Sequence, residues 1–407
     1  MSRADRARLE FHLLVLVTLG LVAFGLVMVY SASSARAVLE GHDPAYYLKR
    51  QAFYALVGLA LLALLSRFDY RRLRHAAGPL LAGSIFLLVA VLVVGTRVNG
   101  ARRWLPLGAI DFQPSELVKL ALALWLAGVL VRRHAPRSLT ELARPVGLVV
   151  GVVAVLLLAE PDLGTTIAIA VMTAGMLVVA GTPIRLLAGA GGIGTALVLA
   201  AIWVEPYRRA RVFSFLHPWG DPQGAGFQTV QAMIALGSGG LFGVGLGESV
   251  QKIYYLPEAS TDMIFAIVGE ELGLVGAAAV IGAFVLFGYA GFAVALRCRD
   301  PFGKRLAAGL TALICGQAAV NLCAVMGLAP LTGVPLPFVS YGGSSLVVAL
   351  ASIGILLNIA VNDAAGSVAS VPDRGRRDRR PRPAVARSRG GAARPRRRGD
   401  VRRVRAN

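Results

Sequence analysis

Apolar stretches about as long as a membrane-crossing helix recur along this chain, and that recurrence limits its fold more than any other feature. They cover roughly 11–31, 50–66, 77–96, 114–131, 144–159, 163–181, 185–204, 263–296, 305–328 and 344–361. Each approaches the roughly 20 residues with which an α-helix spans a bilayer. Within lipid only helices and closed barrels satisfy their own backbone, and these stretches lack the alternation of a barrel strand. The expected fold is all-α, a polytopic helical membrane protein with about ten transmembrane helices. Composition agrees. The 407 residues are 56% hydrophobic and only 16% charged, with a mean hydropathy of +0.66. A soluble domain of that length needs far more charge to cover its surface.

The first apolar run, Leu13 to Tyr30, follows Arg3, Arg6 and Arg8 and could pass for a signal peptide. It is long for one, and Tyr30-Ser31-Ala32-Ser33 is a poor cleavage site, so it reads as a retained span. Orientation follows from the basic residues. Arg67, Arg71, Arg72 and Arg74 share one side with Arg132, Arg133 and Arg137, with Arg297, Arg299, Lys304 and Arg305, and with the tail. By the positive-inside rule that side is cytoplasmic, as are both termini. The expected organisation is a cytoplasmic segment 1–10, a membrane domain 11–362 and an Arg-rich tail 363–407. The tail carries much of the net charge of +20 and cannot bury a core, so it is expected to be disordered. It suits anionic membrane lipid, and the lack of interleaved aromatics argues against nucleic acid. Cys298, Cys315 and Cys323 lack metal-ligand spacing and read as small packing residues.

With that orientation 97–113, the turn at 160–164, the long segment 205–261 and 329–343 lie outside. The large extracytoplasmic loop joins helices 7 and 8. External loops are normally poor in positive charge, yet Arg97, Arg102, Arg103, Arg208, Arg209, Arg211 and Lys252 all fall there. Such cations either snorkel to lipid phosphates or bind an anionic ligand such as a diphosphate. Glu116 and Lys119 lie at i and i+3 at the top of a span, as a structural ion pair or as a pair facing a polar cavity. Asp162, in Glu160-Pro161-Asp162-Leu163-Gly164, either caps the next helix or opens onto the same cavity. Glycines at 237–247 fit no nucleotide motif and suggest close approach of backbone to a ligand. Asp262 ends the segment 252–262 at the start of a span. It is either a helix cap or a general base, since Glu270 lies roughly 12 Å deeper and Glu271 on another face. The stretch 327–345, rich in Gly and Pro, reads as an irregular external or re-entrant element.

Several of these segments together resemble the SEDS family of FtsW, RodA and SpoVE proteins, its division branch more than its elongation branch. They are Asn99-Gly100-Ala101-Arg102-Arg103-Trp104, Gln113-Pro114-Ser115-Glu116, the 160–166 turn, 221–228, 251–262, Glu270-Glu271-Leu272-Gly273 and 334–345, and the likeness covers 11–362. One departure is Ser260-Thr261-Asp262-Met263, where the family commonly has His-Thr-Asp-Phe. The resemblance implies a glycosyltransferase that polymerises lipid II on the outer face of the cytoplasmic (inner) membrane during septal wall synthesis. It further implies a class B penicillin-binding transpeptidase and other membrane proteins of the division machinery as partners. By the same match the catalytic aspartate falls on Asp262. The candidate substrate contacts are Arg103, Glu116, Lys119, Asp162, Arg208, Gln231, Ser238, Lys252, Glu258, Thr261, Ser340 and Ser344.

The chemistry is consistent with that set. A diphosphate departs without being protonated if cations stabilise it, so one carboxylate base with external Arg and Lys suffices. A divalent cation, Mg or Mn, could share the diphosphate's charge, but no residue cluster marks a dedicated metal site. Two other readings stand beside this one, a lipid II flippase and a non-enzymatic scaffold of the division complex.

Overall fold

The computed structural model describes residues 3–98, 101–107, 110–204, 206–224, 226–253 and 255–369. The side chains of Arg97, Arg208 and Arg211 lie outside the described residues, and so does the tail from 370 on. The chain divides into two units, Met1–Gly366, which holds the bundle, and Ser367–Asn407, of which only the first three residues are described, as helix.

Three helices open the bundle, α1 (Arg3–Leu39), α2 (Tyr46–Arg67) and α3 (Tyr70–Val94). A three-stranded antiparallel meander follows, β1 (Thr96–Val98), β2 (Ala101–Leu107) and β3 (Ile110–Phe112). Then come α4 (Pro114–Arg132), the single turn α5 (Leu139–Leu142), α6 (Leu148–Ala159), α7 (Leu163–Ala180) and α8 (Ile184–Val204). The long external segment carries α9 (Pro206–Leu216) and α10 (Phe227–Ser238), and the bundle closes with α11 (Ile264–Arg297), α12 (Pro301–Val325) and α13 (Gly343–Ala369). Among the described residues ten helices are long and apolar enough to span a membrane.

Helices begin earlier than hydropathy alone suggests. Asp69 starts α3 by accepting a hydrogen bond from the Arg71 amide, and Asp300 starts α12 by accepting one from Gly303, with Pro301 in the first turn. Arg71, Arg72, Arg74, Lys304 and Arg305 therefore ride on helices rather than in loops. Polar first turns are invisible to a window that counts apolar residues. The segment 205–261 is likewise partly helical rather than an open loop.

At the centre α12 packs on α7, α11 and α4, and small residues bring the axes close. A methyl group on Gly309 would sit 2.6 Å from the Met176 sulfur, and one on Gly291 would sit 2.3 Å from the Thr311 hydroxyl. Helix α11 is too long for one straight crossing, at about 51 Å for 34 residues. It bends at Gly273, whose φ of +68° is open to glycine. Ile264 to Glu271 are buried, whereas Leu274 and Val275, just past the bend, are exposed apolar residues of the kind that face lipid.

Helices α1 and α11 run antiparallel, joined by Glu10 with Arg297 at one end and Ser31 with Glu271 at the other. Between these levels the chain after α12 dips inward. Phe338 meets the Phe287 ring at 6.2 Å, and its carbonyl lies 2.4 Å from where a Cβ on Gly25 would be. Gly25 is about 22 Å along α1 from Glu10, so the segment between α12 and α13 is re-entrant.

Replacing Gly291 by Leu is expected to force α11 from α12 and to cost about 1–3 kcal/mol. A lowered thermal midpoint of the detergent-solubilised protein checks it; an unchanged midpoint would refute the packing argument.

Candidate active site

At the end of the bundle that the charge rule places outside lies a cavity of about 520 Å³. Strand β2 supplies Arg103 and Trp104, the start of α4 supplies Gln113 and Glu116, and the α6–α7 turn supplies Pro161, Asp162 and Thr165. Opposite stand Glu258, Thr261 and Asp262 before α11, with Gln228 of α10 beside them. The re-entrant segment completes the wall with Thr332 to Pro335, Tyr341 and Gly342.

Asp262 is held by its backbone. The amides of Thr261 and Met263 both donate to the Glu258 carbonyl (3.1 and 3.2 Å), closing a turn in which Glu258 adopts φ +56°. From α12, the Asn321 amide group donates to the carbonyls of Asp262 and Val334, each at 2.7 Å. The Tyr341 amide donates to Ser260 O at 2.8 Å. Asp262 is thus fixed between α12 and the re-entrant segment while its side chain lines the cavity. The N-cap position of α11 falls one residue later, on Met263. The Thr261 hydroxyl lies 2.9 Å from Glu258 Oε2 and 3.3 Å from Asp262 Oδ1, and its single proton serves one carboxylate at a time.

Across the cavity Arg103 donates to the backbone oxygens of Glu160 (2.9 Å) and Pro161, tying β2 to the α6–α7 turn. Asp162 does both things expected of it: it accepts from the Thr165 amide at 3.0 Å, capping α7, and it lines the cavity. Glu160 beside it is fully buried, and neither carboxyl oxygen has a hydrogen-bond partner among the described residues. Burial pushes its carboxyl up to about 8; the charge of Asp162 adds to the shift and Arg103 opposes it. Arg102, in contrast, points away to the last carbonyls of α3, Leu92 (3.1 Å) and Val93 (2.7 Å).

Glu116 and Lys119 form a buried ion pair of 2.8 Å. Glu116 faces the cavity, whereas Lys119 stands behind it and donates to Gln317 Oε1 at 2.9 Å. Gln317 in turn donates to Pro335 O at 3.1 Å, so the pair braces the re-entrant segment.

Other expected contacts lie elsewhere. Lys252 is not a ligand of the cavity: it is buried and paired with Glu271 at 2.9 Å, beside Ser31. Glu271 also accepts from the Ser31 hydroxyl, and Glu270 accepts from Ser249 and from the Val250 amide. The glycines at 239–245 approach the backbone of α11 rather than a ligand. Methyl groups at Gly239 and Gly243 would sit 1.9 Å from Gly269 O and 2.1 Å from Glu271 O. Four hydrogen bonds join this segment to the bend, from Val244 and Gly245 to the carbonyls of Glu270 and Glu271, and from Leu274 and Val275 to those of Gly240 and Leu241. Ser238 donates within its own helix to Ala235 O, and Gln231 on α10 does not line the cavity. Ser340 caps a turn by accepting from the Leu336 amide, and Ser344 bridges Asp111 O and the Gln113 amide. The Arg208 side chain lies outside the described residues.

Sequence reasoning missed Gln228, Thr332 and Asn321. Asn321 had a signal, an amide near the end of an apolar span; Gln228 and Thr332 reach the site through chain turns that no local pattern announces. Among the described residues no group of three or more His, Cys, Asp or Glu could hold a metal ion.

Two outcomes follow from the buried charges. Lys252→Met or Glu271→Gln alone strands its partner and is expected to cost about 3–5 kcal/mol, the double variant less. Equal midpoints for single and double variants in detergent melts would refute the coupling. The raised Glu160 carboxyl binds its proton more tightly folded than unfolded, so folded stability falls as pH rises from about 5 towards 8. Glu160→Gln is expected to flatten that slope in thermal melts; an unaltered slope would place the proton elsewhere.

The bundle and its cavity define a multi-pass helical membrane protein with a carboxylate set opposite an arginine at one membrane face. The family described as "Cell cycle protein" (FtsW/RodA/SpoVE) matches residues 11–365, and the chain belongs to it. It is 42% identical over 349 residues to the "Probable peptidoglycan glycosyltransferase FtsW" of Geobacter sulfurreducens, covering 85% of this chain and 94% of that protein. Stage V sporulation protein E of Bacillus subtilis is 40% identical over 352 residues, covering 85% and 96%. Among solved structures, a chain of a peptidoglycan synthase complex that coordinates polymerization and crosslinking superposes with a TM-score of 0.72 at 36% identity, covering 86% and 97%. The rod shape determining protein RodA of Thermus thermophilus gives 0.64 at 32% identity, covering 86% and 96%.

Proposed function

We propose that the chain is a peptidoglycan glycosyltransferase that polymerises lipid II into glycan strands at the outer face of the cytoplasmic membrane, with Asp262 as general base. The observation that carries this reading is Asp262 itself, a carboxylate fixed by its backbone and turned into a polar cavity whose far wall bears Arg103. Close relatives named as peptidoglycan glycosyltransferases support the reaction class.

In the proposed step Asp262 takes the proton of the acceptor sugar's hydroxyl. The acceptor oxygen bonds to the donor's anomeric carbon as the bond from that carbon to the diphosphate oxygen breaks. The bonding pair leaves with undecaprenyl diphosphate, and the proton passes from Asp262 to water. No acid is needed for the leaving group, because its charge is already delocalised and Arg103 lies in the same cavity to stabilise it. A fixed cation in a partly dehydrated cavity stabilises developing charge without having to reorganise. The oxygens of Glu258, Thr261 and Asp262 are hard donors of the kind that Mg or Mn takes, and a divalent cation held there would neutralise diphosphate charge.

The remaining assignments belong to the same proposal. Both termini are cytoplasmic, the site faces outward at the division septum, and the Arg-rich tail lies against anionic lipid. A class B penicillin-binding protein crosslinks the product, within a larger set of division membrane proteins.

Purified chain with its penicillin-binding partner and labelled lipid II is expected to yield a glycan ladder. Asp262→Asn should reduce it at least a hundredfold, in line with the loss of a general base. A mutant that polymerises at near-normal rate would overturn the assignment of Asp262. An absence of ladder in wild type, alongside lipid II translocation in liposomes, would favour a flippase.

A further inference from the structure

A cavity of about 520 Å³ holds something the size of one or two sugars, so most of a growing strand must lie outside it. One group of side chains outside the cavity has no part in the chemistry above. It begins in the turn between α1 and α2 with His42 and continues on the first turns of α2 with Tyr46, Tyr47 and Arg50. The rings form a connected row. His42 stacks on Tyr46 at 4.4 Å, Tyr46 meets Tyr47 edge-on at 5.2 Å, and Tyr47 meets Tyr341 edge-on at 5.3 Å. The Arg50 guanidinium lies 5.9 Å from the Tyr46 ring centre and 3.4 Å from Asp111 on β3.

Two features separate this row from ordinary packing. It runs from cavity to surface: Tyr341 is a cavity wall residue whose amide holds Ser260, Tyr46 and Tyr47 are half-buried as Tyr341 is, and His42 is exposed. The row therefore leads from the wall beside Asp262 to the surface. Tyrosines also gather at membrane interfaces, facing lipid headgroups. These instead face one another and the cavity wall, with a charged pair alongside.

Rings next to a hydrogen-bonding Arg–Asp pair suit a polymer of N-acetylated pyranoses. Such sugars present flat C–H faces that pack on aromatic rings, and hydroxyl and acetamido groups that need polar partners. We infer that His42, Tyr46 and Arg50 form a ledge that holds the glycan strand as it leaves the cavity along Tyr341. This rests on the polymerase reading above. A strand held there stays near Asp262 between additions, so the ledge sets how many sugars are added before release.

The test uses the full-length chain with its penicillin-binding partner and labelled lipid II, comparing wild type with His42→Ala, Tyr46→Leu and Tyr46→Phe. His42 is exposed, so its replacement spares the core. His42→Ala and Tyr46→Leu are expected to shorten the median strand several-fold, a larger change than in lipid II consumption, while Tyr46→Phe keeps the length. A soluble, lipid-free glycan tetrasaccharide should show saturation transfer from the wild type in NMR, and lose it with His42→Ala and Tyr46→Leu. Strands whose lengths ignore all three substitutions would overturn the ledge alone. A wild type that makes no strand yet still shows the saturation transfer would overturn the polymerase reading and leave the ledge as a glycan-binding surface.

Discussion

The bend in α11 at Gly273 is the constraint on which the cavity end of the molecule depends. A helix broken near the membrane surface leaves amides and carbonyls without partners, each costly where water is scarce. Here the segment 240–245 takes them up through four backbone hydrogen bonds. Only glycine at 239 and 243 allows the two backbones to come so near. Lys252 then locks the same loop to Glu271 and α1. With the loop fixed at the bend, the turn at Glu258 can set Asp262 at one position. The buried ion pair and the glycines do not touch the cavity, but its geometry rests on them.

The re-entrant segment is the second fixed wall, and it is held in a different way. It is braced by side-chain amides from the neighbouring helix, Gln317 through Pro335 and Asn321 through Val334. The same Asn321 group also holds Asp262. One amide therefore sets the spacing between the carboxylate and the opposite backbone. The Glu116–Lys119 pair stands behind this brace, so its charge is spent on position as much as on the cavity's polarity.

Much of this was legible in the sequence, and the rest was hidden for identifiable reasons. Span number follows from apolar length, because lipid leaves the backbone few alternatives. Asp162, Glu116, Glu258, Thr261 and Asp262 converge on one cavity, as expected of polar residues at helix ends on a single side. Lys252 misled because an external cation in a loop looks available; its partner, Glu271, lies in a span, and only the fold brings them together. The glycines misled similarly, since close approach does not say to what. The serines at 340 and 344 sit in the right motif but serve turns and cross-links. The start of α2 was placed too late, because Lys49, Arg50 and two tyrosines make its first turns look polar, and with it went any view of the aromatic row.

The cavity's walls come from residues between 101 and 345, with the re-entrant segment near the end of that range. Without α12 and the re-entrant segment after it, Asp262 has neither its amide clamp nor the wall beside it. A chain that lacks those segments has spans but an incomplete cavity. The candidate site is thus a product of the whole bundle and of no single run of sequence.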